Sequence, residues 1–234
     1  MITIICASND QNKLKKYLIS SLKKQTFKDY ELIVIDTNEK KYNGCVEALN
    51  DGFAKSTGEY IMFVHHDVEF CDKNELSNIY NCILNLDFGI VGVAGATFSR
   101  NYLIGNITNG ANKENISSLV IDKPEEVQTL DEVLFIIKRD TLNKYPLNIL
   151  NTTWHLYAVE YSLLMHDNDK KVYVIPSNIY HASPGYSLNK SYFDYLPSVI
   201  KKYKKNYKYI NTTVGSWYTN KMLFNLQMMK RKIK

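Results

Sequence analysis

The segment EYIMFVHHDVEF, Glu59 to Phe70, places His65, His66 and Asp67 directly after five uncharged, mostly apolar residues. Imidazoles and a carboxylate side by side offer the donor atoms that hold a divalent cation or, through it, a phosphate. YIMFV has the β-branched and aromatic content of a short buried strand. In open α/β sheets, ligands collect just beyond the carboxyl ends of such strands. The position of the triplet therefore suggests a metal or phosphate site.

The elements that must position it follow from periodicity. ITIICAS opens as a strand, and QNKLKKYLISSLKKQ follows with Leu14, Leu18, Ile19 and Leu22 at helical spacing. YELIVIDTN is a near-continuous apolar strand, which implies burial on both faces and parallel pairing. GCVEALNDGFAKSTGE reads as a helix ending at Gly58 and delivers the chain to YIMFV. Three strands with two helical crossovers make a nucleotide-binding type α/β half-domain. Further on, GIVGVAGATF and DEVLFIIKRD read as strands, TTWHLYAVEYSLLMHD as a helix, and KVYVIPSNIYH as one or two short strands. Gly105 to Lys123 is the least patterned stretch and is expected to be a surface excursion.

Composition narrows the function class. At 234 residues with 45% hydrophobic and 23% charged, the chain can bury a full core. No apolar run approaches the ~20 residues of a membrane span. The start MITIICASND lacks the basic stretch and cleavage site of a signal peptide, so a cytoplasmic protein is expected. Cys6, Cys45, Cys71 and Cys82 form no CxxC pair and are expected to be reduced thiols. The net charge of +5 is a C-terminal property: Ser191 to Lys234 carries ten Lys and Arg against Asp194 alone, and the rest is slightly acidic. That distribution argues against nucleic acid as a ligand, because such proteins spread basic residues across the binding face.

The order ITIICASND, LKKQTFKDYELIVIDTN, ALNDGFAKSTGEYIMFVHHDVEF resembles the nucleotide-binding half of family 2 glycosyltransferases, with Gln25, Thr26, Glu31, Asp36, Asn50, Gly52, Ala54, Gly58, Glu59 and Tyr60 in register. HHDV and the later WHLYAVEYSLLMHDNDKKVYVIPSNIYHAS look like a bacterial subgroup with an H-x-D-V motif in place of Asp-x-Asp. The resemblance covers roughly residues 1 to 185. It implies a GT-A type α/β fold, with a mostly parallel mixed sheet flanked by helices, over residues 1–187. A basic, mainly helical extension, 188–234, lies outside it.

The resemblance also implies a chemistry: transfer of a sugar from a nucleotide-diphosphate donor, of UDP or dTDP type, to a saccharide or lipid-linked saccharide in bacterial surface glycan synthesis. Asp67 is then the expected ligand of Mn²⁺ or Mg²⁺, with His181 as a second ligand, and His65 in place of an acid tilts the choice toward Mn²⁺. Ala7, Ser8, Asn9, Asp36, Asn50 and His65 are expected on the donor nucleotide, and Trp154 and Asp131 near the sugar or acceptor. Glu132 is placed beside Asp131, and Arg139 as a neutraliser of phosphate. For His66 an ordinary hydrogen-bonded role is expected.

One departure stands out. Ala158 occupies the position of the family's catalytic aspartate, and an alanine cannot accept a proton. On a regular helix His155 shares the face of Ala158, whereas Glu160 points nearly the opposite way, so His155 is preferred to Glu160 as the base. If neither serves, the chain is a sugar-nucleotide-binding pseudo-enzyme or scaffold, or a hydrolase in which water replaces the acceptor. The lysines and tyrosines of IKKYKKNYKYI and the basic C-terminus read as a solvated charged face or as an attachment to an anionic membrane surface, which would make the protein peripheral at the inner face of the cell membrane.

Overall fold

The computed structural model describes residues 1–115, 117–183 and 188–232. The chain begins with β1 (Ile2–Ser8), then α1 (Gln11–Leu14), a π turn (Lys15–Ile19) and α2 (Ser20–Lys24) in one run. β2 (Tyr30–Asp36), α3 (Cys45–Ala54) and β3 (Tyr60–Val64) complete the expected strand-helix-strand units, and both β2 and β3 pair in parallel with β1. α3 stops at Ala54 rather than Gly58. Gly58 instead lets the backbone cross β1: a Cβ there would lie 2.7 Å from the Thr3 nitrogen, and its N–H donates to Thr3 Oγ1 at 2.8 Å.

β4 (Val68–Phe70), α4 (Glu75–Leu84), β5 (Ile90–Gly92) and β6 (Ala94–Ala96) follow. The expected excursion holds β7 (Leu103–Gly105), β8 (Ile107–Asn109) and β9 (Glu114–Asn115), so part of it is sheet rather than loop. Next come β10 (Glu125–Glu126), β11 (Thr129–Leu130), β12 (Leu134–Lys138), α5 (Arg139–Lys144), α6 (Tyr157–His166), β13 (Val172–Val174) and β14 (Ile179–His181). The main sheet runs β10-β13-β5-β12-β3-β1-β2, with β12 antiparallel to both β3 and β5. A second sheet, β4-β14-β8-β9, sits at the carboxyl end of β3.

Alternation sorts the core onto two faces. Tyr60, Met62 and Val64 pack with Leu14, Leu18, Leu76 and Ile79 on one side, and Ile61 and Phe63 pack with Val46, Leu49, Ala158 and Tyr161 on the other. The expected boundary at residue 187 lies outside the described residues. Beyond it, α7 (Lys190–Tyr203), a hairpin of β15 (Tyr209–Thr212) and β16 (Gly215–Tyr218), and α8 (Lys221–Lys232) make the extension helical at both ends with an unforeseen hairpin between. A third apolar cluster joins α6 to this region: Leu156, Val159 and Leu163 pack with Tyr192, Leu196, Tyr203, Ile210 and Trp217. All four cysteines are free thiols. No helix among the described residues is long and apolar enough to cross a membrane.

Candidate functional site

A cleft of about 740 Å³ opens where β1 and β3 end, lined on that side by Ala7, Asn9, His65, His66, Asp67 and His181. β14 runs antiparallel to β4 with His181 opposite Val68, which carries an imidazole from far along the chain to the HHDV turn. His181 Nε2 lies 3.2 Å from Asp67 Oδ1, and one ligand atom each from His65, Asp67 and His181 falls within 4.8 Å of the others. The Tyr157 hydroxyl is 3.4 Å from His65 Nε2.

The electrostatics favour a cation. Burial raises the Asp67 carboxyl, but the His181 hydrogen bond and the surrounding imidazoles outweigh it and hold the group well below the usual carboxylate range. Burial, then the charge of His181, pushes His65 down to about 4, so its ring stays neutral with a lone pair to give. One ionised carboxylate and two imidazoles could hold a divalent ion that tolerates nitrogen.

The cleft is also lined by Asp131, Glu132, Trp154 and His155, and the two acids precede Val133, whose carbonyl accepts from the His65 N–H at 3.0 Å. His155 does not sit on α6. Asn151 Nδ2 and Thr153 Oγ1 both donate to the His155 carbonyl, at 2.9 and 2.7 Å, and Leu156 adopts a left-handed backbone (φ 66°) before the helix starts at Tyr157. The expected helix from Thr152 is thereby shortened, and the shared face of His155 and Ala158 does not exist. Ala158 is buried in the core beneath the sheet. The loop is seated by Gly44, where a Cβ would lie 2.6 Å from the Thr152 carbonyl carbon, while the Cys45 N–H donates to Thr153 O at 2.9 Å.

His155 nonetheless reaches the cleft. Its ring is hydrogen-bonded to the Asn189 side chain, and its buried Nε2 has no partner among the described residues. Burial lowers its pKa, opposed by Asn189 and Asp131. Glu132 also lines the cleft with a buried, unpartnered Oε1, and burial, reinforced by Asp131, raises its carboxyl to about 8.

Several expected residues are placed elsewhere. Glu160 lies outside the cleft, 4% exposed, accepting from Lys202 Nζ at 2.9 Å, Tyr195 Oη at 2.9 Å and Asn148 Nδ2 at 2.7 Å; its direction along α6 points it into this network. Arg139 donates to Gly58 O and Ser56 Oγ at 2.7 and 2.9 Å, at the far end of β3, so it braces a turn rather than meeting a phosphate. Ser8, Asp36 and Asn50 do not line the cleft: the Ser8 hydroxyl serves its own turn with Asp10, Asp36 accepts from Gln11 Nε2 at 2.8 Å, and Asn50 lies on α3. Thr37, next to Asp36, does line it.

Part of the lining that sequence reasoning missed comes from the C-terminal region: Leu188, Asn189, Tyr192, Thr213, Val214 and Arg231. Thr213 Oγ1 donates to Asp131 Oδ2 across the cleft wall. Thr213 and Val214 form the turn of the hairpin, which lacks the Asn-Gly or Asp-Gly pair that marks such turns.

Fold and cleft together define a GT-A type α/β architecture with a His-Asp-His cluster at the strand ends. Residues 3–209 match a glycosyltransferase-like family, and the chain belongs to it. No curated protein matches the chain in sequence. In fold it is similar to the mannosyltransferase PcManGT of Pyrobaculum calidifontis, solved with GDP-Man and Mn²⁺ (TM-score 0.62, 12% identity, 88% of this chain and 64% of that one). It is similar to residues 1–349 of S. aureus TarS with UDP-GlcNAc (0.61, 14%, 86% and 66%) and to GalNAc-T7 with UDP, GalNAc and Mn²⁺ (0.63, 14%, 86% and 47%). The chain spans about two thirds or less of the length of these structures.

Proposed function

We propose that this protein transfers a sugar from a nucleotide-diphosphate donor to a saccharide or lipid-linked saccharide, with inversion, using His155 as the base. The observation that carries the reading is an imidazole with an unpartnered nitrogen in the same cleft as the His65-Asp67-His181 cluster. Solved structures of similar fold hold GDP-Man or UDP, with Mn²⁺, which supports a nucleotide-sugar site here.

Asp67, His181 and His65 would hold a divalent cation, whose charge would offset that of the donor diphosphate. Ala7, Asn9 and Thr37 line the cleft where a nucleoside would lie. The Nε2 of His155, without a partner among the described residues, would serve as the proton acceptor. That nitrogen takes the hydroxyl proton as the oxygen attacks the anomeric carbon, and the bond to the diphosphate breaks with its electron pair. Trp154, 42% exposed at the cleft, offers a ring face to a sugar.

The test is nucleotide release from UDP-, dTDP- and GDP-sugars with Mn²⁺, with and without saccharide acceptors. Binding of none would sink the proposal; binding without turnover supports a scaffold, and release to water alone a hydrolase.

A membrane attachment is part of this reading. α8 exposes Met222, Leu226 and Met229 on one stripe, flanked by Lys221 and Lys230. An apolar stripe with basic flanks suits the surface of anionic lipid. Sedimentation with phosphatidylglycerol vesicles, weakened by salt and absent with phosphatidylcholine, is expected; equal binding to both, or to neither, would remove this part.

A further inference from the structure

Arg231 enters the cleft from α8, beyond the stretch matched to the family. Its placement follows from helical spacing. Phe224 is buried, Gln227 Nε2 donates to Ser216 O at 2.6 Å, and Met228 packs on the third apolar cluster, so Arg231, itself exposed, lies on the face of α8 that carries these contacts. Its guanidinium carbon lies 4.9 Å from the Trp217 ring centre and 5.2 Å from that of Phe193. Two rings position the cation without neutralising it, and none of the ion pairs among the described residues involves it. An arginine fork held over aromatic faces, with its charge unpaired at a cleft, is built to receive an oxyanion.

Contacts show which part of the cleft it serves. Trp217 Nε1 donates to Tyr192 Oη at 3.1 Å, and the Tyr192 ring lies 5.9 Å from that of His155. Arg231 is thus linked to His155 through Trp217 and Tyr192, and the His65-Asp67-His181 cluster lines the same cleft at the strand ends. The acids in the same cleft, Asp131 and Glu132, form no ion pair with it, and Asp131 is engaged by Thr213 and by the Val133 N–H.

We propose that Arg231 recognises an anionic group, phosphate or carboxylate, on the acceptor whose hydroxyl His155 deprotonates; this rests on the transferase reading of the cleft. The protein therefore selects acidic saccharide acceptors over neutral ones. The competing source of the same chemistry is the donor diphosphate.

The experiment uses the full chain loaded with a nucleoside diphosphate and Mn²⁺. Glucose, glucose 6-phosphate and glucuronate are titrated by ligand-observed NMR into wild type, Arg231→Gln and Arg231→Lys, with melting curves confirming that each variant folds. Wild type is expected to prefer one or both anionic probes roughly tenfold over glucose, as a charge-assisted contact would give. Arg231→Gln is expected to lose that preference with nucleotide affinity unchanged, and Arg231→Lys to retain part of it. Equal or absent binding of all three probes to wild type overturns the proposal. Lower nucleotide affinity in Arg231→Gln also overturns it and assigns Arg231 to the donor. Failure of wild type to bind any nucleoside diphosphate removes the transferase reading itself, a result distinct from both.

Discussion

The two walls of the cleft were assembled by different physics. The strand-end wall is simpler: YIMFV runs into HHDV, Ala7 and Asn9 come from the end of the adjacent β1, and His181 is brought by one antiparallel register. The C-terminal wall is wholly non-local. Asn189, Tyr192, Thr213 and Arg231 come from a helix, its cap, a hairpin turn and a second helix, held together by a cluster around Trp217. In the reading proposed above, the first wall would hold a phosphate-bound cation, and the second would supply groups for the acceptor. A terminal segment that looks like a basic tail is therefore part of the site.

The largest expected effect tests whether the second wall depends on its packing. Trp217 is fully buried, and Trp217→Ala should cost about 3–5 kcal/mol through the cavity it leaves. Chemical denaturation read by tryptophan fluorescence from Trp154 and by circular dichroism measures this. A loss below about 1 kcal/mol would mean that the C-terminal wall is only draped over the domain. The matching blow to the first wall is Asp67→Ala, which should weaken Mn²⁺-dependent nucleoside-diphosphate binding by about 100-fold while leaving the fold intact, because the carboxylate is the charged ligand of the cluster. Calorimetric titration with wild-type affinity would contradict it.

His155 and Glu160 sharpen the contrast between a reactive and a structural polar group. His155→Ala should lower turnover about 100-fold with donor binding unchanged. The pH profile has a definite sign. A base must be neutral to act, and burial lowers the His155 pKa below its ordinary 6.5. Turnover should therefore be flat from about pH 7 to 8 and fall only as pH drops through a midpoint below 6.5. An acid-limb midpoint above 6.5 would assign the step to another group. Glu160→Gln should do the reverse: a stability loss of about 1–2 kcal/mol, discounted because Lys202 is 47% exposed, with turnover within about threefold of wild type. A dead but fully stable Glu160→Gln would restore Glu160 as the base.

What could be read from the chain and what could not divides along the same line. Alternation in β1 and β3, the crossover helices and the HHDV turn depend on neighbours within a few residues, and they gave the α/β class, whereas the pairing of Asp67 with distant His181 was legible only through the family resemblance. The start of α6 was not legible, because its helical pattern continues through Trp154 and His155. Two buried side chains, Asn151 and Thr153, hold the His155 carbonyl out of the helix, and Leu156 pays for the turn with a left-handed backbone. The opposed direction of Glu160 was legible, but its partner was not: Lys202 is distant in sequence, and a basic run alone does not show which lysine turns inward. Arg231 gave no sequence signal apart from the inward spacing it shares with Phe224 and Met228.

The smallest effect tests the link between the walls. Asn189 caps α7, its Oδ1 accepting from Ser191 N at 2.9 Å, and its side chain also bonds the His155 ring. His155 Nε2 has no partner among the described residues, so a bond from Asn189 to the other ring nitrogen would favour the tautomer that leaves Nε2 able to accept a proton. Asn189→Ala removes both the cap and the orienting bond. The cap should cost about 1 kcal/mol of stability. The orientation should cost about tenfold in kcat, since the base remains but samples wrong tautomers and rotamers. Asn189→Asp separates the two: a carboxylate caps equally well and stabilises the protonated imidazole, so kcat should recover while the acid-limb midpoint moves upward. A purely structural Asn189 would restore stability in Asn189→Asp without shifting the pH profile, and that result would cut the C-terminal wall out of the proton transfer.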